Sequence, residues 1–240
     1  MNNKGVAIVT GGNRGIGQKV CEILANRGFA VILTARTLQS GQEAAMQIRA
    51  RGGCVDVYEV DVVDEAQIHA MVDAVLARYR HIDVLINNAG IYLDGPDEQG
   101  RYVPLDELSI DILYQTMDVN LYGSVRLTKA VLPAMRLQNY GRIVNVSSGM
   151  GRYFELDRRA PFYRLSKSAL NAFTRILASE VAEYNILVNA VCPGWVRTRM
   201  GTKRAVRSIT QGAKGVVWAA TLPDGGPSGG LFRDGENFGW

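Results

Sequence analysis

A doubly wound α/β domain, a parallel sheet with helices on both faces, is the fold this sequence predicts. Three observations lead there. Short runs rich in β-branched residues alternate with longer amphipathic ones along all 240 residues. Those runs are apolar nearly throughout instead of at every second position, as in strands buried on both faces. The first of them also passes straight into a glycine-rich stretch that opens a helical segment.

In chain order, "VAIVT" (6–10), "AVILT" (30–34), "VDVYEV" (55–60), "DVLIN" (83–87), "RIVNVS" (142–147), "ILVNAV" (186–191) and "GLFRD" (230–234) read as seven strands. Between them lie helical segments near 15–27, 39–51, 64–79, 107–137, 162–184 and 208–220. The stretch 107–137 is long for one helix, and Gly123 and Pro133 are expected to bend or interrupt it. Pro161 suits the first position of the helix that follows it. "PDGGPSGG" (223–230) is a loop, and neither a linker nor a repeat divides the chain. The expectation is one domain spanning 1–240 with a seven-stranded parallel sheet.

Composition narrows the function. A hydrophobic fraction of 47% supports a full core, and no stretch reaches the roughly 18 apolar residues of a membrane span. Only two histidines are present, which argues against a zinc site or a histidine-based hydrolase. Three cysteines, far apart and without a C-x-x-C pair, suggest reduced thiols in a cytoplasmic protein. The amino terminus enters "GVAIVT" almost at once, without the basic–apolar–small order of a secretory leader. A formal charge of +4 without aromatic interleaving gives no reason to expect a nucleic-acid partner.

The glycine stretch is "TGGNRGIG" (10–17). Gly11, Gly15 and Gly17 fall where a strand turns into a helix. A dinucleotide fold places glycines there so that the backbone can approach a pyrophosphate and the helix can pack closely. "NNAG" (87–90) follows the fourth strand, Ser148 ends the fifth, and Tyr163 precedes Lys167 by one helical turn in "PFYRLSK". Each of these is commonplace alone. Together, in this order, they resemble the short-chain dehydrogenase/reductase family, and "LTAR" (33–36), "PGWVRT" (193–198) and "ATLPDGGPSGGLFRDG" (220–235) look most like its carbonyl-reductase branch.

The resemblance covers essentially the whole chain and implies a Rossmann sheet, a nicotinamide cofactor and hydride transfer. It makes Tyr163 the proton donor and gives Lys167 two tasks, lowering the phenol's pKa and holding the nicotinamide ribose. It selects Ser148 over Ser147 as the group polarising the carbonyl, and Asn120 as a helix-interrupting asparagine that helps hold a water beside the lysine. On the same grounds Asn13, Arg14 and Ile16 join the glycine turn around the cofactor, as do Asn88, Ala89, Gly90, Pro193, Gly194, Val196 and Thr198. Asp61 and Val62 match the pair that meets the adenine, although Asp61 is equally placed to cap the helix that follows.

Coenzyme choice is read from the end of the second strand. An NAD enzyme carries a carboxylate there, whereas "LTARTLQSGQ" has no acid before Glu43. Arg36 and Arg14 suit the 2′-phosphate of NADPH. Tyr92, Tyr153, Phe154 and Trp195 are expected to give the substrate pocket an apolar wall, under a basic lid at about 195–212. The lid's cations suit an anionic substrate, or are merely solvated. Only fourteen residues separate Ser148 from Tyr163, so the long insertion that covers the pairing helix in many carbonyl reductases is missing and a homodimer or homotetramer is expected. The expected activity is NADPH-dependent reduction of a small-molecule aldehyde or ketone. The alternative, an idle NADPH-sensing module on the same fold, does not require an intact Ser-Tyr-Lys set. A sugar epimerase would need a longer chain and a different glycine spacing.

Overall fold

Val6, Ala7, Ile8 and Val9 are all fully buried, and the strand they form, β1 (Val6–Val9), lies inside the sheet. Alternate side chains explain why no polar residue is tolerated there. Ala7 and Val9 enter the hydrophobic cluster on one face, while Val6 and Ile8 enter the cluster on the other. The computed structural model describes residues 4–240. After β1 come α1 (Gly15–Asn26), β2 (Ala30–Ala35), α2 (Leu38–Arg49), β3 (Val55–Glu59), α3 (Glu65–Tyr79) and β4 (Val84–Asn87). The second half comprises α4 (Ile110–Met117), α5 (Gly123–Leu137), β5 (Gly141–Val146), α6 (Pro161–Glu180), β6 (Ile186–Val191), α7 (Ile209–Ala220), β7 (Leu231–Arg233) and β8 (Glu236–Asn237).

The strand order is β3-β2-β1-β4-β5-β6-β7-β8. Helices α1, α2 and α7 cover one face and α3, α5 and α6 the other. Seven strands are parallel as expected, but the sheet has an eighth, antiparallel to β7 with Phe232 opposite Asn237 and Arg233 opposite Glu236. Asp234 (φ +55°) and Gly235 (φ +87°) make the two-residue turn between them. A hairpin of that size needs left-handed backbone at both central positions, and Asp-Gly is a favoured pair for it. The "DG" after the seventh run was therefore a legible signal that the seven-strand expectation passed over.

The long helical stretch is broken, but not at both expected places. A single π-helical turn, Asp118–Tyr122, separates α4 from α5. Gly123 follows directly and lies against Val62: a Cβ there would come within 2.8 Å of Val62 Cγ2. Pro133 leaves α5 intact. It sits on the exposed side in the last turns, where water can reach the carbonyl that loses its partner. Helix α6 begins at Pro161 and stops at Glu180, four residues short of expectation.

Arg142, at the start of β5, has no exposed surface at all. Its guanidinium donates to the carbonyls of Leu222 (2.8 Å), Gly141 (2.9 Å) and Asn185 (3.0 Å) and to Asp224 Oδ1 (2.7 Å), and lies over the Tyr140 ring. A buried cation is tolerable only with such full pairing. It ties the chain before β6 and the loop after α7 to one edge of β5.

Candidate active site

The strand order reverses between β1 and β4, and in such sheets ligands bind in the crevice beyond the carboxyl ends of those strands. Both motifs that flank the crevice are held by one side chain. Thr10 Oγ1 donates to the Ile86 carbonyl (3.3 Å) and accepts the N–H groups of Asn88 and Ala89 (both 2.9 Å). Asn88 Nδ2 returns bonds to the carbonyls of Thr10 (2.8 Å) and Gly11 (3.2 Å). Gly11 sits at φ +61°, which a side chain would strain. At Gly17 a Cβ would fall 2.4 Å from the Gly11 carbonyl oxygen, so only glycine lets α1 approach the turn. Asn13 Nδ2 reaches Ser40 Oγ (3.2 Å) in α2, and Ile16 packs on the core beneath. Gly15 faces Thr198, which brings the Pro193–Gly194–Val196–Thr198 segment over the turn. Thr10 was absent from the expected site residues, although it stands inside the glycine motif.

Arg14 and Arg36 are exposed near this turn, Arg14 as the N-cap of α1 and Arg36 just after β2. Among the described residues neither makes an ion pair. Asp61 is not the helix cap: Asp64 is, accepting the Gln67 N–H at 3.1 Å. Val62 is buried in the core, its side chain packed against Gly123. The sheet also brings in an acid that a reading along the chain does not count. Glu59 pairs in register with Ala35 and accepts the Leu38 N–H (2.7 Å) at the start of α2.

Ser148 stands two residues past the end of β5 on the same edge of the sheet, and its Oγ accepts the Met150 N–H at 3.1 Å. Ser147 is spent elsewhere, its hydroxyl bonded to Asn171 Oδ1 at 2.6 Å, so Ser148 is the serine that faces Tyr163. Tyr163 and Lys167, both buried, lie one turn apart on α6 with the ammonium 5.8 Å from the phenol ring centre. Lys167 Nζ donates to the Val146 carbonyl at 2.9 Å. A Cβ on Gly90 would sit 3.7 Å from that Nζ, so glycine keeps the space in front of the lysine open. Asn120, fully buried in the π turn, clamps Ile91 by accepting its N–H (2.8 Å) and donating to its carbonyl (2.9 Å), with a further bond to Ser166 (3.0 Å).

The electrostatics differ from expectation. Burial pushes the Tyr163 phenol up to about 12; the Ser148 hydrogen bond pulls it back, and Cys192 and Asp94 add to the rise. Burial likewise takes Lys167 down to about 8. Desolvation opposes charge on both groups, and Lys167 Nζ is turned to the Val146 carbonyl.

Of the expected aromatic wall, Tyr92 is in place, its ring centre 4.6 Å from that of Tyr163 and its hydroxyl 3.4 Å from the Tyr102 hydroxyl. Tyr153 (76% exposed) and Phe154 (84%) instead stack edge-on against each other at the surface. Next to Tyr102 and Met150 a cavity of about 590 Å³ opens, with Phe154, Leu156 and Arg164 on its walls. Helix α7 starts at Ile209, close to the expected 208, so the end of the stretch read as the lid is its first turn. Val196 and Arg207 form a β-bridge at the base of the lid, and Arg207 pairs with Asp234 across 2.9 Å, so one of the five cations between 195 and 212 is already neutralised.

The model of the family described as short chain dehydrogenase matches residues 5–208. This chain belongs to that family. Among its relatives, the (+)-neomenthol dehydrogenase of Arabidopsis thaliana is 31% identical over 281 aligned positions covering 94% of each chain. That alignment is longer than the 240 residues here, so the relative carries segments without a counterpart in this short-chain dehydrogenase. Among solved structures, salutaridine reductase from Papaver somniferum superposes with a TM-score of 0.83 at 27% identity, over 96% of this chain and all of that one. A metagenomic short-chain oxidoreductase in complex with NADP gives 0.81 at 31% identity, over 96% and 97%. The Rossmann-like fold and an oxidoreductase with reductase-type relatives follow from the family.

Proposed function

We propose that this chain is an NADPH-dependent reductase of aldehydes or ketones. The observation that carries the reading is the convergence of Ser148, Tyr163 and Lys167 at the carboxyl edge of the sheet, beside a glycine turn at the strand-order reversal. The residues fit a dinucleotide on structural grounds. Gly11 leaves backbone room that a Cβ would fill, Gly17 lets α1 close on the turn, and Gly90 keeps the front of Lys167 clear. Arg14 and Arg36 stand exposed near the glycine turn, as recognition of a 2′-phosphate requires. A neighbour at 31% identity binds NADP, which supports the same choice.

A bound nicotinamide cofactor supplies the hydride. The protein's part is orientation and acid catalysis. Ser148 donates to the carbonyl oxygen and steadies the charge that grows there, Tyr163 passes its proton to that oxygen, and Lys167 favours the phenolate left behind. Asn120 keeps Ile91 and the Gly90 turn in register with α6. Initial rates of NADPH oxidation with quinones, aldehydes, cyclic ketones and ketoesters test the activity; no turnover with any class refutes it.

Arg36→Ala should cost NADPH one charge-assisted contact, about 1.5–3 kcal/mol or a factor of about ten to a hundred in affinity, and leave NADH nearly untouched. Comparing kcat/KM for both cofactors checks this. Equal use of the two by the wild type would sink the assignment.

We also infer a homodimer or homotetramer. Leu165, Ala172 and Ile176 form an exposed stripe on α6, with Ile110 and Tyr114 exposed on α4, whereas Phe173 is half-buried against the core. Sedimentation at micromolar concentration is expected to show the oligomer, and Ile176→Asp to dissociate it. A wild type that sediments as a monomer contradicts this.

A further inference from the structure

Helix α6 carries the reacting groups, yet the residue before it has nothing with which to cap it. Ala160 stands in the left-handed region (φ +49°) and makes no side-chain bond to the first turn. The cap comes from elsewhere. Asp94, in the loop after β4, is 5% exposed, and its Oδ2 accepts the N–H of Phe162 at 2.7 Å. The N–H of Tyr163 itself lies 3.2 Å from Oδ2 and 3.3 Å from Oδ1. A carboxylate at a helix N-terminus meets both the unpaired N–H groups and the positive end of the dipole. This one reaches across 68 residues to do so. It holds the main chain of Tyr163 and also anchors the loop whose Tyr92 ring packs on the phenol.

We propose that Asp94 is a positioning residue for proton donation, fixing Tyr163 through its backbone and setting a carboxylate at the N-terminus of its helix. The inference rests on Tyr163 being the proton donor. The groups facing the phenol are the Ser148 hydroxyl and Cys192 from the ends of β5 and β6, Lys167 on its own helix, Tyr92 from the loop, and Asp94. Of these, the Ser148 hydrogen bond favours the phenolate, whereas Cys192 and Asp94 oppose it.

The sign follows. Reduction needs the phenol with its proton, so the rate falls as pH rises through the phenol's pKa. Removing a neighbouring negative charge lowers that pKa. Asp94→Asn keeps an acceptor that caps a helix about as well but removes the charge. Its alkaline limb in a kcat/KM–pH profile should therefore move down by about half to one pH unit, while its melting temperature stays within about 2 °C of wild type. Asp94→Ala loses cap and anchor together, so it should melt several degrees lower and raise KM as the Tyr92 loop comes free. Asp94→Ser, a shorter neutral cap, repeats the charge test should the asparagine variant fail to fold. Tyr163→Phe, measured alongside, separates the two readings. A limb that stays at the wild-type pH in both neutral-cap variants, with Tyr163→Phe inactive, overturns the role of Asp94 alone; near-normal turnover in Tyr163→Phe overturns both.

Discussion

Tyr163→Phe is expected to lower turnover by a factor of about a hundred or more, the scale of a lost general acid, while NADPH still binds. The substitution removes one oxygen and keeps the ring that Tyr92 packs against. The contacts proposed for the glycine turn and Arg36 should be untouched by it. Lys167→Ala should behave differently, weakening cofactor binding as well as turnover. Its loss also vacates a buried site and leaves the Val146 carbonyl without its donor. Fluorescence titration with NADPH, set beside initial rates, separates the two outcomes. Near-normal turnover in Tyr163→Phe would mean that the phenol is there for packing alone.

The second large effect concerns stability. Arg142→Ala is expected to destabilise the fold by about 3–5 kcal/mol, because three carbonyls lose their donor and a fully buried side chain leaves a hole. For a domain of this size that is a fall of about 10 °C in Tm. Arg142→Lys should recover only part of it, since one ammonium cannot reproduce a fork that serves Leu222, Asn185 and Asp224 at once. Thermal melts followed by circular dichroism decide the matter. A change below about 2 °C in the alanine variant would show that water or neighbouring donors replace the guanidinium.

The layered fold was legible because fully apolar strands and amphipathic helices obey local periodicities. The residues that brace the site were less so, because their partners lie far away in the chain. Gly11, Gly17, Ser148, Tyr163 and Lys167 announce themselves by spacing. Asp94 does not: it is one of three acids in the loop after β4, with Asp97 and Glu98, and only the meeting of two loops makes it a cap. Glu59 is equally silent until the β2–β3 register places it beside the start of α2. The rise that burial gives the Tyr163 phenol and the fall it gives Lys167 stay hidden in the sequence for a related reason. A Tyr-x-x-x-Lys spacing states proximity, but it does not state that both groups are buried or that the lysine is already occupied by Val146. Arg207 reads as a free lid cation because its partner, Asp234, stands 27 residues further along the chain.

The two-residue strand β8 has a consequence for how this molecule behaves among its own copies. An open parallel sheet ends in a row of unpaired N–H and C=O groups, a template on which another chain can extend the sheet. Here the tight Asp234–Gly235 turn folds the chain back over β7 and covers that row. The cover is itself too short to be a useful template, and Glu236 and Asn237, both exposed, keep its rim polar. Deleting residues 234–240 would therefore do more than loosen the lid by removing the partner of Arg207. It would bare β7, whose Leu231 and Phe232 are buried in the folded chain, and turn a sheet edge that ends the molecule into one that invites the next.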